Sequence, residues 1–180
     1  PARSPRAPAP MLWCALYLYE LPLQVFTRGQ PDPGLLAVLS PSPRQRILAA
    51  TPAACEQGIE AGQKRAAALA LAPKIVLLNQ NPAQETAALI ELAGWAGQFT
   101  SSVSIDPPAT LLLEIQSSLR LFGGLAPLCA EIDTRLAELG YYGKKAVAPT
   151  PTAARWLACC QPDSQVTAPQ LADSLDALPI

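Results

Sequence analysis

Hydrophobic and polar positions switch between two periods along this chain. The run "WCALYLYELPLQVF" (13–26) opens with an unbroken apolar stretch. Such a run predicts a strand buried on both faces, with Trp13, Ala15, Tyr17 and Tyr19 alternating with Cys14, Leu16 and Leu18. Glu20 and Pro22 end it, and a loop with Gly29, Pro31, Pro33 and Gly34 follows. "LLAVLS" (35–40) predicts a short strand. Residues 47–73 read as strand, short helix, turn and second helix: Thr51 caps ahead of Pro52, Gly58 lies past the helix end, and Pro73 stops the Ala-rich stretch 62–72. "KIVLL" (74–78) predicts another buried strand. Asn81, Pro82 and Gln84 form the start signal of a helix that places Ala88, Leu92, Trp95 and Phe99 on one face. "SVSID", ending at Asp106, and "TLLLEI" (110–115) predict a hairpin around Pro107, Pro108 and Ala109. Leu125, Leu128, Cys129, Ile132, Leu136 and Leu139 recur at helical spacing up to Gly140. "KKAVAPT" predicts a last strand, and Thr150-Pro151 opens a last helix. The polar, proline-containing tail from Gln161 is expected to be only partly ordered.

Setting aside an insertion at about 30–80 leaves strand, helix, hairpin, helix, strand. That order predicts an α+β protein with a ferredoxin-like, split βαβ core. The 180 residues suffice for one ordinary core or two small lobes. Half are apolar and 15% charged, the composition of a globular protein. Histidine is absent, which excludes Ser-His and Cys-His nucleophile systems and histidine metal sites. A net charge of −1 argues against a broadly basic DNA-gripping surface. The five cysteines lack the spacing of a disulfide framework or a zinc site, which fits a reducing, cytoplasmic compartment. Cys14 and Cys129 fall on apolar stripes and are expected in the core. Residues 1–10, "PARSPRAPAP", read as a disordered lead without a secretory h-region, with Met11 as the start of the domain. No stretch reads as a membrane span.

The segment order and three stretches resemble the palm and fingers of Y-family, translesion-type DNA polymerases. They are "ALYLYELPLQVF", "AACEQGIEAGQKRAAALALAPKIVLL" and "SIDPPATLLLEIQSSLRLFGG". The last, followed by "YYGKKAVAPTPTAARWLA", is similar to the non-polymerising ImuB-type branch of that family. The resemblance implies a palm at 11–29 and 80–160, fingers at 30–79, and a tail at 161–180 leading toward a thumb that is missing here. Active members hold two metal ions with a carboxylate at the end of the first palm strand and two adjacent ones at the hairpin. Those positions here are Tyr17, Asp106 and Pro107, so one carboxylate remains of three. The triphosphate contacts of active members fall on Pro52, Cys55 and Ala153, and the ribose-sensing position on Pro22. A lone carboxylate cannot cage two Mg²⁺ ions.

The resemblance therefore implies a non-catalytic scaffold in DNA-damage-induced translesion synthesis and mutagenesis, without cofactor. Its partners would be a sliding clamp, a RecA-like accessory protein and an error-prone replicative-type polymerase, and its location cytoplasmic, at the nucleoid on DNA damage. Weak DNA binding at most is expected. Arg120, Lys144, Lys145 and Arg155 are the candidate DNA-facing residues, although charge pairs are usually solvated surface. Two alternatives stay open. One is a nucleotidyltransferase with Mg²⁺ held by relocated ligands, Asp106, Glu114 and Glu20; the other is a nucleotide-binding regulatory domain. Asp106 also has a plain reading as a turn residue before Pro107-Pro108, and Glu114 as a solvated strand end.

Overall fold

The computed structural model describes residues 11–41, 43 and 45–177. The expected Pro-rich lead at 1–10 lies outside them. Packing divides the chain into two compact units.

The first unit comprises the chain up to Tyr17, Leu92–Ile132 and the part from Gly143 onward. It is built on a four-stranded antiparallel sheet of β1 (Trp13–Tyr17), β5 (Val103–Asp106), β6 (Thr110–Glu114) and β7 (Lys144–Ala148). The strand order is β5-β6-β1-β7. β6 inserts between β1 and β5, the ferredoxin-like arrangement that the segment order predicted. One face is covered by α7 (Pro151–Cys160), whose Ala153, Ala154, Leu157 and Ala158 pack on Ala15, Ala146 and Ala148. Small residues on both sides let helix and sheet approach closely. Thr150 caps α7 as expected, its Oγ1 accepting the Ala153 N–H at 3.3 Å. Cys14, Leu16, Leu111 and Leu113 are buried at the alternate strand positions.

The second unit comprises Leu18–Glu91 and Asp133–Tyr142. Its three-stranded sheet has β2 (Leu36–Leu39) in the centre, antiparallel to β3 (Ile47–Ala50) and parallel to β4 (Val76–Asn79). Ala54 of α2 (Pro52–Glu56) and Ala68 of α3 (Arg65–Leu71) join one core with Ala37, Leu39, Ile47 and Ile59. Leu23 of α1 (Leu21–Thr27) joins another with Leu36, Val38 and Ala49. The longer helices α4 (Pro82–Ala96) and α6 (Leu125–Glu138) each carry residues of both units, and the single-turn α5 (Leu119–Phe122) lies between β6 and α6. Asn81 caps α4 by accepting the Gln84 N–H at 3.2 Å.

Five sequence expectations are corrected. The first strand ends at Tyr17, and Tyr19 is 40% exposed rather than buried. Residues 21–27 form α1, where the sequence reading has Pro22 end the strand and expects no helix; Pro22 is compatible with a first helical turn, and seven residues are too few to show the helical period. β4 is an edge strand, so Val76 is 52% exposed where burial was expected. Thr51 does not cap α2 with its side chain. Its Oγ1 instead donates to the Gly34 carbonyl at 2.7 Å and accepts the Leu36 N–H, tying the start of β2 to α2. The tail is placed through Ala177: Val147 bridges Gln165, and α8 (Leu171–Asp176) sets Leu171 and Leu175 against the α7 core.

Candidate functional site

The antiparallel register brings four residues into one row across the end of the four-stranded sheet. Asp106 pairs with Thr110, Thr110 with Tyr17, and Tyr17 with Lys144. Directly opposed residues share a face, so the row presents a carboxylate, a hydroxyl, a phenol and an ammonium side by side. Pro107 follows Asp106 at the hairpin turn and supplies no oxygen ligand from its side chain.

Helix α7 closes over this row. Ala153, the residue that the family resemblance aligns with a phosphate-binding lysine, is buried at 2% exposure. Two residues on, the Arg155 guanidinium forms an ion pair with Asp106, Nη1 to Oδ2 at 3.0 Å. Sequence reading named Asp106 as the remaining metal position and Arg155 as a DNA-facing candidate without joining them, because they are 49 positions apart. Cys159 lies one turn after Arg155. Burial first, and Cys160 second, push its thiol up, while Arg155 and Lys144 pull it back. Burial also pushes the Tyr17 phenol up, with Cys159 adding to the shift, so it stays neutral at physiological pH. Beside the row, Asp106, Leu112, Pro151, Thr152, Arg155 and the half-exposed Trp156 line a cleft of about 240 Å³.

These donors do not fit a pair of hard divalent ions. The row offers one carboxylate, already paired with a guanidinium, and ends on a cation. Mg²⁺ needs several oxygen ligands, and added positive charge disfavours it further. Glu114 cannot make up the set, since it stands at the opposite end of β6 from Thr110 and pairs with Trp13. Four steps of about 3.4 Å separate the two ends. Its Oε1 instead accepts the Gln116 N–H at 3.0 Å. Glu20 belongs to the other unit, where its carboxylate accepts the Tyr142 hydroxyl proton. Among the described residues, no three Asp, Glu, Cys or His side chains gather into a metal-binding group.

The remaining predicted positions scatter. Pro52 and Cys55 stand exposed at the start and on the outside of α2. Pro22 is in the first turn of α1. Lys144 and Lys145 alternate along β7 and so face opposite sides of the sheet. Lys145 pairs with Asp163 of the tail at 3.5 Å, and Arg155 with Asp106. Arg120 projects from α5. The four cations therefore do not make one basic face.

A second polar assembly was not foreseen. The Gln24 side chain is fully buried in the second unit; its Nε2 donates to the Tyr142 carbonyl at 2.9 Å, and its Oε1 accepts the Tyr142 N–H at 3.3 Å. Tyr142 also stacks edge-on with Tyr19, ring centroids 6.1 Å apart. Burial, followed by the hydrogen bond to Glu20, pushes its phenol strongly up. Partners 118 residues apart leave no local signal in the sequence.

The impB/mucB/samB family model matches residues 27–159. The chain belongs to this family. Two strains of Caulobacter vibrioides each have a Protein ImuB that is 38% identical over 112 residues, 62% of this chain and 24% of theirs. This family member thus spans about a quarter of those relatives. Among solved structures, a Y-family DNA polymerase chimera superposes with a TM-score of 0.71 at 16% identity, over 94% of this chain and 53% of its own. DinB from Sulfolobus solfataricus does so with a TM-score of 0.66 at 15% identity, over the same shares. The fold is that of the Y-family polymerases. No described helix is long and apolar enough to cross a membrane.

Proposed function

We propose that this impB/mucB/samB-family chain is a polymerase-like part without catalytic activity, serving as a scaffold in DNA-damage-induced translesion synthesis. The observation that carries the reading is the Arg155–Asp106 ion pair at 3.0 Å, which occupies the single carboxylate left in the row. Tyr17 and Pro107 fill the neighbouring positions with groups that cannot hold Mg²⁺. The partners proposed are those the family resemblance implies: a sliding clamp, a RecA-like accessory protein and an error-prone replicative-type polymerase, in the cytoplasm and with weak DNA binding at most. Similarity to Protein ImuB over 112 residues supports the assignment to that branch.

The test is the melting temperature of the chain with a millimolar dNTP, with and without Mg²⁺. A ligand at about a hundred times its Kd adds roughly 2.7 kcal/mol. For a domain of this size that is worth about 2–4 °C per kcal/mol. No Mg²⁺-dependent shift is expected. A shift of several degrees that requires Mg²⁺ overturns the reading in favour of a nucleotidyltransferase, and one that does not require it points to a regulatory nucleotide pocket.

A further inference from the structure

The second unit carries a cluster of cations that the functional reading does not use. Arg46 stands directly opposite Lys64 in an antiparallel bridge, and Arg65 follows as the first residue of α3. All three are exposed. Like charges facing each other across paired strands are destabilising. Among the described residues no acid relieves them: Arg46, Lys64 and Arg65 make no ion pair, and Glu60 in the preceding turn pairs with none of them. Their partners are neutral. Arg46 Nη1 donates to the Gly62 carbonyl at 2.6 Å, and Arg65 Nη1 lies 3.5 Å from Gln45 Oε1.

The backbone is held in place around this cluster. Gln45 adopts a left-handed conformation, φ 40°, which costs free energy for a residue with a side chain. It is fixed by the Arg65 N–H, which donates to its carbonyl at 3.2 Å, while the Arg46 N–H donates to Ser40 Oγ at 2.9 Å. Apolar surface adjoins the charge. Leu69 lies one turn after Arg65 on the same face of α3, and Leu48 two residues after Arg46; each is 37% exposed.

We infer that Arg46, Lys64 and Arg65, with Leu48 and Leu69, form a docking surface for an acidic protein segment in which Asp or Glu alternates with large apolar residues. Charge complementarity selects the acidic groups, and the two leucines provide seats for apolar side chains between them. A nucleic-acid strand fits less well. Segments 45–50 and 62–71 contain no aromatic residue on which a base could stack, and the exposed tyrosines of this unit, Tyr19 and Tyr142, pack on each other. The inference does not depend on the palm being inactive.

Fluorescence anisotropy tests it, using the whole chain at low salt, a labelled 12-residue peptide alternating Asp and Leu, and a labelled oligothymidine of the same length. Saturable peptide binding is expected. It should weaken about tenfold or more when Arg46→Gln, Lys64→Gln and Arg65→Gln are combined, and as salt is raised. Leu69→Ser should weaken it while leaving its salt dependence intact. The single change Lys64→Gln, at an exposed position, gives a readout should the triple variant fail to melt like the parent chain. Absence of saturable binding, or binding indifferent to these substitutions, overturns the inference. Tighter binding of the oligothymidine through the same three cations replaces the protein segment with a nucleic acid. None of these outcomes bears on the Mg²⁺ and dNTP melting experiment, so the two readings fail separately.

Discussion

Gln24 shows how much one polar side chain can hold at the residue scale. Its amide meets both backbone groups of Tyr142 and is sealed from water, so removing it strands a donor and an acceptor. Gln24→Ala is expected to cost about 1–3 kcal/mol, read as a lower urea midpoint at unchanged slope. The Arg155–Asp106 pair is a different case. Both side chains are partly exposed, at 43% and 29%, and water screens them. Asp106→Asn should therefore change stability by less than about 1 kcal/mol in the same urea titration. What the pair changes is the chemistry of the row, since it engages the row's one carboxylate.

Close approach more than large side chains holds one helix to its sheet. α7 meets its sheet through alanines, with Leu157 as its fully buried large residue in that contact. Leu157→Ala should then leave a cavity that small neighbours cannot refill, costing about 2–5 kcal/mol by thermal or chemical unfolding. The end of α6 depends on a similar closeness. Gly140 has φ +77, and a Cβ there would sit 3.2 Å from both Arg28 Cβ and the Gly29 nitrogen. A glycine at this place was legible as a helix stop, but the neighbour that excludes a side chain was not. α1 went unseen for a related reason: Pro22 reads as a strand stop and seven residues are too few to show a helical period, whereas packing of Leu23 against β2 and β3 seats them as a helix.

The whole molecule should lose stability on the alkaline side. Burial raises the phenols of Tyr17, Tyr19, Tyr141 and Tyr142 above their ordinary value of 10.0, Tyr142 the most. The folded chain then holds protons that the unfolded chain releases near pH 10. Stability from this source is complete below that pH and is lost as pH rises through the folded values. The Cys159 thiol, raised from 9.0, acts in the same direction from a lower pH. Melting temperature should therefore be flat with respect to these groups around neutrality and fall above about pH 9 to 10. Tyr142→Phe should make that fall shallower, although it also leaves Glu20 without its phenol partner.

Sequence alone determined the order and type of most elements, because periodicity, caps and breakers act over a few residues. It placed the hairpin around Pro107-Pro108, α4 behind Asn81-Pro82 and α7 behind Thr150-Pro151. The family resemblance, also read from sequence, implied that Tyr17 and Pro107 stand where active members carry metal-binding carboxylates. Tertiary structure decided what those residues amount to. Only strand register sets Asp106, Thr110, Tyr17 and Lys144 in one row, and only the packing of α7 delivers Arg155 to Asp106. It alone separates Lys145 from Lys144 across the sheet and opposes Arg46 to Lys64. The physical reason is range. Hydrogen-bonded turns and apolar stripes are written into neighbouring residues, whereas an ion pair across 49 positions or a clamp across 118 exists only once the chain has closed on itself.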